Sequence, residues 1–315
     1  MSSSAAALAF VFPGQGSQSV GMLVELAAAH EEVEATFAEA SQGAGIDLWT
    51  LAMQGPEDQL NRTENTQPAL LAASVAVWRV WQKLGGTQPS QLSGHSLGEY
   101  SALVCAKALS LRDAAALVAE RGRLMQSAVP AGVGAMAAIL GGDDAQIAAV
   151  CEEVAQGQVV SPANFNSPGQ LVIAGHAEAV DRALARLAEL GVKKAIKLAV
   201  SVPSHCALMR DAADRLGERM ASIDWQMPSI PVIQNAEARS YDTVEDIRSA
   251  LQQQLYLPVR WMQCVQALAA GGATRIVECG PGKVLSGLIK RIDKTIEARA
   301  IGTPTEMDSV RGEWT

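Results

Sequence analysis

One pentapeptide in the sequence has the spacing of an activated nucleophile. Gly94-His95-Ser96-Leu97-Gly98 is a GxSxG motif, and a helical pattern without Pro or Gly follows it as far as Cys105. In such a motif the serine lies on a sharp turn between a strand and a helix, and the two glycines let the backbone turn and pack closely. The helix N-terminus beneath the hydroxyl favours an oxyanion. The motif predicts a nucleophilic Ser96, although an ordinary glycine turn can have the same sequence.

A nucleophilic serine requires a base, and the sequence has only four histidines. His30 lies among glutamates and His176 begins a predicted helix, and both positions are typical of solvent-exposed residues. His95 points away from Ser96 if the segment is extended. His205 lies in a predicted crossover loop, where catalytic groups are common. By elimination, His205 is the best candidate for the general base.

Two glycine-rich stretches fail the tests for nucleotide-binding loops. Pro13-Gly14-Gln15-Gly16 lacks the third glycine of a dinucleotide motif, and Gly280-Pro281-Gly282-Lys283 is followed by Val284 where a phosphate-binding loop requires Ser or Thr. The sequence therefore predicts no ATP or dinucleotide cofactor. The first loop is better suited to directing backbone N–H groups at a developing negative charge.

An α/β frame is predicted around these motifs. In the first part of the chain, apolar spacing predicts a strand over 8–12, helical structure from 22 to 40, a helix over 69–84 opened by Gln67-Pro68, and a helix to about Ser127 capped by Ser110. In the last part it predicts helices over 211–223, 244–255, 262–270 and 284–292 and strands over 230–233 and 275–278. The polar residues after Gly302 are expected to form a mobile tail.

The segment over 131–202 has a different order of elements. Strands are predicted over 134–140, 158–165, 170–174 and 192–200, with helices over 143–156 and 176–190. The resulting order, βαββαβ, is typical of a ferredoxin-like unit. We therefore expect a small subdomain over 131–202, inserted into a discontinuous large α/β subdomain formed by 1–130 and 203–315.

The composition narrows the class of protein. The chain has 315 residues, 49% of them hydrophobic, and carries 33 acidic against 25 basic residues for a net charge of -8. These values exclude a disordered chain and disfavour general binding to nucleic acid or to an acidic membrane. No apolar stretch reaches the ~20 residues of a membrane span, and the N-terminus has no basic secretion signal, so we expect a soluble cytoplasmic protein. Five cysteines without a CxxC pair predict neither a disulfide framework nor a metal site.

Several motifs occur together and in a fixed order along the chain. They are Phe12-Pro13-Gly14-Gln15-Gly16, Gln67-Pro68-Ala69, Gly94-His95-Ser96-Leu97-Gly98-Glu99-Tyr100, Arg121, Asn164-Phe165-Asn166, Val202-Pro203-Ser204-His205 and Gly280-Pro281-Gly282-Lys283. From about Leu8 to Ile301 the chain resembles the malonyl-CoA:acyl-carrier-protein transacylase family. The resemblance implies a hydrolase-like large subdomain with a ferredoxin-like insertion, in agreement with the pattern of elements.

The resemblance also implies roles for individual residues. Ser96 matches the nucleophile, His205 its base, and Gln254 the residue whose main-chain carbonyl orients the histidine in place of an acid. The backbone N–H groups of Gln15 and Leu97 match the oxyanion hole. The other matched positions bind substrate: Arg121, which holds the free carboxylate of the acyl group, and Met125, Asn164, Asn166, Val200 and Ser204. Without the resemblance, Arg121 has the ordinary interpretation of an exposed ion pair on a helix.

The implied reaction is ping-pong transfer of a malonyl group from malonyl-CoA to the phosphopantetheine thiol of acyl carrier protein, through a malonyl-serine ester. No metal or redox cofactor is implied, and a monomer is expected. Three alternatives stay open: a serine thioesterase or other hydrolase, a related acyltransferase of polyketide synthesis with a different acyl specificity, and a non-catalytic module that binds carrier protein.

An acidic carrier protein requires a local basic surface on this acidic enzyme. Two clusters are candidates: Lys193, Lys194 and Lys197, and Lys283, Lys290, Arg291 and Lys294. The second is favoured, because Lys290, Arg291 and Lys294 are expected to form a stripe on one helix.

Overall fold

The structure is a computed structural model that describes residues 7–198, 200 and 202–314. Within these ranges the strands are β1 (Ala7–Phe12), β2 (Gln91–Gly94), β3 (Gly134–Leu140), β4 (Val160–Ser167), β5 (Gln170–His176), β6 (Lys194–Lys197), β7 (Val232–Ile233), β8 (Ala273–Glu278) and β9 (Glu297–Ala300). The α-helices are α1 (Val24–Ala29), α2 (Glu32–Ala44), α3 (Leu48–Gln54), α4 (Glu57–Leu60), α5 (Thr63–Lys83), α6 (Gly98–Cys105), α7 (Leu111–Ser127), α8 (Asp144–Val154), α9 (Ala177–Glu189), α10 (Arg210–Ala221), α11 (Val244–Gln254), α12 (Trp261–Ala270), α13 (Val284–Ile292) and α14 (Pro304–Trp314). A 3-10 helix, Ala207–Met209, precedes α10.

The larger sheet is parallel and has the strand order β7-β2-β1-β8-β9. Strand β1 is central and apolar on both sides. Phe10 and Phe12 pack with the helices of one face, while Ala9 and Val11 pack with α12 and α13 on the other. Burial of both faces explains the continuous apolar run in the sequence. Because all the strands run the same way, their carboxyl ends lie at a single edge of the sheet.

Strand β2, which leads into the GxSxG motif, is short and has Leu92 as its one large apolar residue. Its position compensates for this weak sequence signal. It lies between β1 and β7, and Leu92, Ser93 and Gly94 are all buried. The hydroxyl of Ser93 donates to the carbonyl oxygen of Ile233 at 2.8 Å, so the polar residue is satisfied inside the sheet.

The smaller sheet is antiparallel, with the order β4-β5-β3-β6. The predicted βαββαβ order is therefore confirmed. Helices α8 and α9 cover one face, where Leu187 of α9 and Ile147 of α8 pack in one cluster with Ile139 of β3. On the other face, Met136 and Val172 pack with Cys206 of the large α/β part. The exact division at 130/131 and 202/203 stays a prediction.

Two predicted helix boundaries are wrong. Gln67-Pro68 does not open a helix, because α5 begins at Thr63 and includes Pro68. Proline cannot donate to the carbonyl of Glu64, and side-chain bonds such as that from Asn65 Nδ2 to the Gln59 carbonyl, at 2.9 Å, hold this first turn instead. The helical pattern from residue 22 to 40 is divided into α1 and α2 by an extended residue at 30.

The expectation of a mobile tail after Gly302 is also wrong. Helix α14 packs on the larger sheet through Met307, Val310 and Trp314, all of them buried. The guanidinium groups of Arg275 and Arg299 lie 5.4 and 5.1 Å from the centre of the Trp314 ring. The helical spacing of these three apolar residues was a signal that the polar composition obscured. Among all the described helices, none has the length and apolar character needed to cross a bilayer.

Candidate active site

The carboxyl edge of the larger sheet opens into a cavity of about 380 Å³. Met136 and Val172 of the smaller sheet and Leu288 of α13 form part of its wall. Ten of the residues predicted for the site line this one cavity: Gln15, Ser96, Leu97, Arg121, Met125, Asn164, Asn166, Val200, Ser204 and His205. Residues far apart in the chain are thus brought together where parallel strands end, the usual position of α/β sites.

Ser96 lies on the sharp turn that the GxSxG motif predicts. Its φ angle is 51°, in the left-handed region that non-glycine residues rarely adopt. A Cβ atom on Gly94 would lie 1.9 Å from the carbonyl carbon of Gly98, and one on Gly98 would lie 2.0 Å from the carbonyl oxygen of Phe12. Both glycines are therefore required by close backbone contacts, and the turn holds the serine at the cavity.

His205 is positioned to accept the proton of Ser96. Its Nε2 atom lies 2.8 Å from Ser96 Oγ, and its Nδ1 atom lies 2.7 Å from the main-chain oxygen of Gln254. Because a carbonyl only accepts, Nδ1 carries the proton and Nε2 is free to act as a base. Burial and, secondarily, the charge of Arg121 lower the pKa of His205 to about 3, although its bond to Gln254 acts in the opposite direction. The imidazole is thus held neutral.

Arg121 is a buried cation beside the serine, not the exposed ion pair of the ordinary interpretation. It is 1% exposed. Nη1 donates to Gln67 Oε1 at 2.8 Å, and Nη2 donates to Gln254 Oε1 at 3.0 Å and to Ser96 Oγ at 3.3 Å. Burial lowers the pKa of Arg121. Nε is buried and has no acceptor among the described residues, while the residue lines the cavity, where its charge would attract an anionic ligand.

Gln254 contributes both its main chain and its side chain. The main-chain oxygen orients His205, while the side-chain oxygen holds Arg121. Its Nε2 atom donates to the main-chain oxygen of Ser96 and to Glu99 Oε2, each at 3.0 Å. The resemblance assigned only the main-chain contact, and the structure adds the side chain as a link between base, nucleophile and cation.

Sequence reasoning missed the functions of three polar residues around this link: Gln67, Glu99 and Asn235. Asn235 Oδ1 accepts from the backbone N–H of Ser96 at 2.7 Å, and its Nδ2 donates to the Gly94 carbonyl at 2.7 Å. Gln67 and Glu99 lie in the motifs that carried the resemblance, but no role was assigned to them. Asn235 follows a predicted strand, and its position at the carboxyl end of β7 was the available signal.

Glu99 is a fully buried carboxyl group in the first turn of α6. It accepts from Gln234 Nε2 at 2.8 Å, from the backbone N–H of Asn235 at 2.7 Å and from Gln254 Nε2 at 3.0 Å. Burial raises the pKa of Glu99 to about 7, while these donors and Arg121 act to lower it. All three neighbours present N–H groups, an arrangement that suits the ionised form.

The two backbone N–H groups predicted for the oxyanion hole lie at the cavity beside Ser96. Those of Gln15 and Leu97 donate no hydrogen bond to any described residue, whereas the N–H of Ser96 is used by Asn235. A Cβ atom on Gly14 would lie 2.5 Å from the His95 carbonyl oxygen, so the loop that carries Gln15 is packed closely against the GxSxG turn.

Strand β4 of the smaller sheet contacts the site through His95, so Asn164 and Asn166 lie in a strand and not in the loop expected for them. Asn166 Oδ1 lies 2.9 Å from His95 Nε2, and the His95 ring lies 5.5 Å from that of Trp261. Burial lowers the pKa of His95. Asn164 is paired with Val259 in an isolated bridge that joins the smaller sheet to the large part. His95 is thus a structural neighbour of Ser96, as the sequence indicated.

The predicted docking residues lie outside the cavity, and one expectation about them is wrong. Lys283, Lys290 and Arg291 are exposed at the two ends of α13. Lys294 lies in a turn beyond Ile292, where α13 ends, so it cannot extend a stripe on that helix. Lys290 and Lys294 instead flank a surface groove beside β9.

Comparison with known proteins identifies the family. Residues 9–304 match the family model described as "Acyl transferase domain". The chain belongs to the acyl transferase family. It is 58% identical over 299 residues to the malonyl CoA-acyl carrier protein transacylase of Escherichia coli (strain K12), covering 95% of this chain and 97% of that protein. This acyltransferase therefore has a relative of nearly the same length.

Solved structures agree with the fold of this acyltransferase. The crystal structure of the malonyl-CoA:acyl carrier protein transacylase from Xanthomonas oryzae pv. oryzae has a TM-score of 0.97 at 64% identity, covering 98% of this chain and 99% of that chain. A complex of a type II polyketide synthase acyl-carrier protein with its malonyl-transacylase gives a TM-score of 0.96 at 54% identity, covering 97% and 99%. Among the described residues of this acyltransferase, no group of three or more His, Cys, Asp or Glu could hold a metal ion.

Proposed function

We propose that this acyltransferase moves a malonyl group from malonyl-CoA to the phosphopantetheine thiol of an acyl carrier protein, through a malonyl ester on Ser96, and so supplies fatty acid synthesis. The observation that carries the proposal is the meeting of Ser96, His205 and Arg121 in one cavity, at 2.8 Å and 3.3 Å from the serine oxygen. The relatives, which are malonyl transacylases over nearly their whole length, support the same activity.

In the first half-reaction, His205 Nε2 takes the proton as Ser96 Oγ attacks the thioester carbonyl. The backbone N–H groups of Gln15 and Leu97 then stabilise the oxyanion, because neither donates to another described residue. His205 returns its proton to the sulfur of the leaving CoA. The hydrogen bond from Nδ1 to the Gln254 carbonyl keeps the required tautomer throughout, so no acidic third residue is needed.

In the second half-reaction, the carrier thiol attacks the ester and transfers its proton to His205. Collapse of the second oxyanion restores the Ser96 hydroxyl, and the malonyl thioester leaves on the carrier. The same groups act in both directions, and the proposed chemistry involves no metal or redox cofactor.

Arg121 selects the acyl group by its charge. A malonyl carboxylate gives the buried guanidinium an anionic partner in direct contact, whereas an acetyl group would leave the cation without one. Met125, Asn164, Asn166, Val200 and Ser204 complete the proposed substrate pocket. The main alternative, a serine hydrolase, is not favoured, because the curated relatives with near-complete coverage are transacylases.

The test of this function is intact-mass measurement after incubation with a panel of acyl-CoA thioesters: malonyl, methylmalonyl and acetyl. We expect a malonyl adduct on the peptide that contains Ser96, stable until carrier protein is added, and no adduct on Ser96→Ala. An adduct that water removes as fast as it forms would identify a hydrolase. A stronger adduct from methylmalonyl-CoA would favour an acyltransferase of polyketide synthesis.

We further propose that carrier protein docks on the basic surface formed by Lys283, Lys290, Arg291 and Lys294. Lys283 precedes Val284, which lines the cavity, so this surface adjoins the entrance. Charge reversal at Lys290 and Arg291 should raise the KM for carrier protein most at low salt, with Ser96 acylation unchanged. The matched control is charge reversal at Lys193 and Lys194; an equal effect there, or a salt-insensitive one at α13, would contradict the assignment.

The remaining parts of the proposal concern the setting of the enzyme. We propose a cytoplasmic monomer that binds malonyl-CoA and acyl carrier protein but neither nucleic acid nor membrane, in keeping with the net charge of -8. Light scattering at micromolar concentration tests the oligomeric state, and a stable dimer would overturn that part alone.

A further inference from the structure

Glu99 lies behind the catalytic residues and touches neither the cavity nor Ser96 Oγ. Its two oxygens have different neighbours. Oε1 accepts from Gln234 Nε2, while Oε2 accepts from the backbone N–H of Asn235 and from Gln254 Nε2. Because a backbone N–H cannot turn to become an acceptor, the atom at the Oε2 position must itself be an acceptor. Gln254 must therefore present its NH₂ group to Glu99.

This requirement fixes which way the Gln254 amide points. With Nε2 held by Glu99 Oε2 and by the main-chain oxygen of Ser96, the amide oxygen faces Arg121 Nη2 at 3.0 Å. If the amide turned over, its NH₂ group would face the guanidinium and its oxygen would face two acceptors. Glu99 Oε2 and the main-chain oxygen of Ser96 together define the orientation of the Gln254 amide, and through it the contact with the cation.

We infer that Glu99 is a positioning residue for acyl selection, because its Oε2 atom orients the Gln254 amide and thereby holds Arg121 beside Ser96. A second branch runs through Asn235, whose backbone N–H is held by Glu99 and whose side chain holds the Ser96 N–H at 2.7 Å. The first branch ends at the cation proposed to select malonyl, while the second ends at the backbone of Ser96 and therefore acts on every acyl group. The inference rests on the proposed function, since it concerns malonyl transfer.

The test compares two substitutions that separate hydrogen bonding from size and charge. Glu99→Gln keeps an acceptor oxygen for Asn235 and Gln254 and loses the charge, and its NH₂ group replaces only the oxygen that faces Gln234 Nε2. The ratio of malonyl to acetyl kcat/KM should therefore stay within a few-fold of wild type. Glu99→Met keeps the approximate size but removes both acceptors. We expect that ratio to fall roughly tenfold, the effect of one lost hydrogen bond to a charged group, and Ser96 labelling by a fluorophosphonate to slow less.

Gln234→Met is the matched control. Gln234 is as buried as Glu99 and binds the other carboxylate oxygen, at 2.8 Å, but it makes no contact with Gln254 among its described bonds. Its substitution should lower the urea midpoint of unfolding without changing the acyl ratio. An equal fall in the ratio for Gln234→Met and Glu99→Met would mean general loosening and would overturn the inference.

The two other outcomes are equally informative. If the malonyl-to-acetyl ratio falls as far in Glu99→Gln as in Glu99→Met, charge rather than amide orientation is responsible and the inference is wrong. If Glu99→Met does not fold, Gln254→Met decides the question, because it keeps the carbonyl for His205 and removes the side-chain link. An unchanged acyl ratio in Gln254→Met would then overturn the inference. Wild-type enzyme without malonyl transfer but with normal fluorophosphonate labelling would instead refute the proposed function.

Discussion

Replacing Arg121 with Ala should change which acyl group the enzyme accepts. The side chain is 1% exposed and makes three hydrogen bonds that place its charge 3.3 Å from Ser96 Oγ. A malonyl carboxylate in that pocket would lose its buried partner, which costs about 3–5 kcal/mol. At ~1.4 kcal/mol per tenfold, kcat/KM for malonyl-CoA should fall by about two to four decades. The acetyl group of acetyl-CoA has no carboxylate that pairs with Arg121, so its rate relative to that of malonyl-CoA should rise.

The assay is single-turnover acylation of Ser96 followed by intact mass, with malonyl-CoA and acetyl-CoA in competition. Arg123→Ala is the matched control, because Arg123 lies on the same helix but is exposed and pairs with Glu120 at 2.8 Å. It should leave both rates unchanged. If Arg121→Ala slows malonyl and acetyl transfer equally, the guanidinium holds the fold and not the substrate, and the reasoning fails.

Three further predictions concern the base, the turn and the C-terminus. Since the pKa of His205 is lowered to about 3, an NMR titration of its ring should show no protonation from about pH 8 to 5, whereas an ordinary histidine titrates near 6.5; protonation of this ring near 6.5 would contradict the prediction. Gly98→Ala should lower the free energy of unfolding in urea by about 3 kcal/mol or more, because its Cβ atom would meet backbone at 2.0 Å, whereas Gly287→Ala, with open space around it, should not. Truncation after Gly302 should lower Tm by several degrees, because it exposes apolar surface that α14 covers. An unchanged Tm would mean that the residues after Gly302 do not stabilise the fold, as expected of a mobile tail.

The order of elements was predictable from the sequence wherever apolar spacing was clear. The βαββαβ unit and helix α13 fall where predicted, and Ser110 caps α7 by accepting from the Asp113 N–H at 3.0 Å. The start of α5 was missed because side-chain hydrogen bonds from its first turn to the end of α4 override the tendency of Pro68 to mark a helix start. Helix α14 was missed because three spaced apolar residues were outweighed by polar neighbours.

The residues of the candidate site also differ in how far the sequence predicts them. Ser96 and His205 were accessible from residue type and elimination, because few groups can serve as nucleophile or base. Arg121 required the family resemblance, since its own helix predicts an exposed ion pair. Asn235 was missed because the only signal was its position after a two-residue strand, and that position does not show the contact with Ser96 that tertiary packing provides.

The distances along the chain within the site also constrain when it can form. Ser96 precedes its base by 109 residues and the side chain of Gln254 by 158. A ribosome-bound chain that has emerged only through α7 contains Ser96 and Arg121. It lacks His205, the proposed proton acceptor, and Gln254, whose amide holds Arg121. The larger sheet is also completed late, because its central strand β1 pairs with β8, which is synthesised in the last part of the chain. The proposed acyl ester on Ser96 therefore requires a finished chain, and synthesis itself delays the proposed activity until the fold is complete.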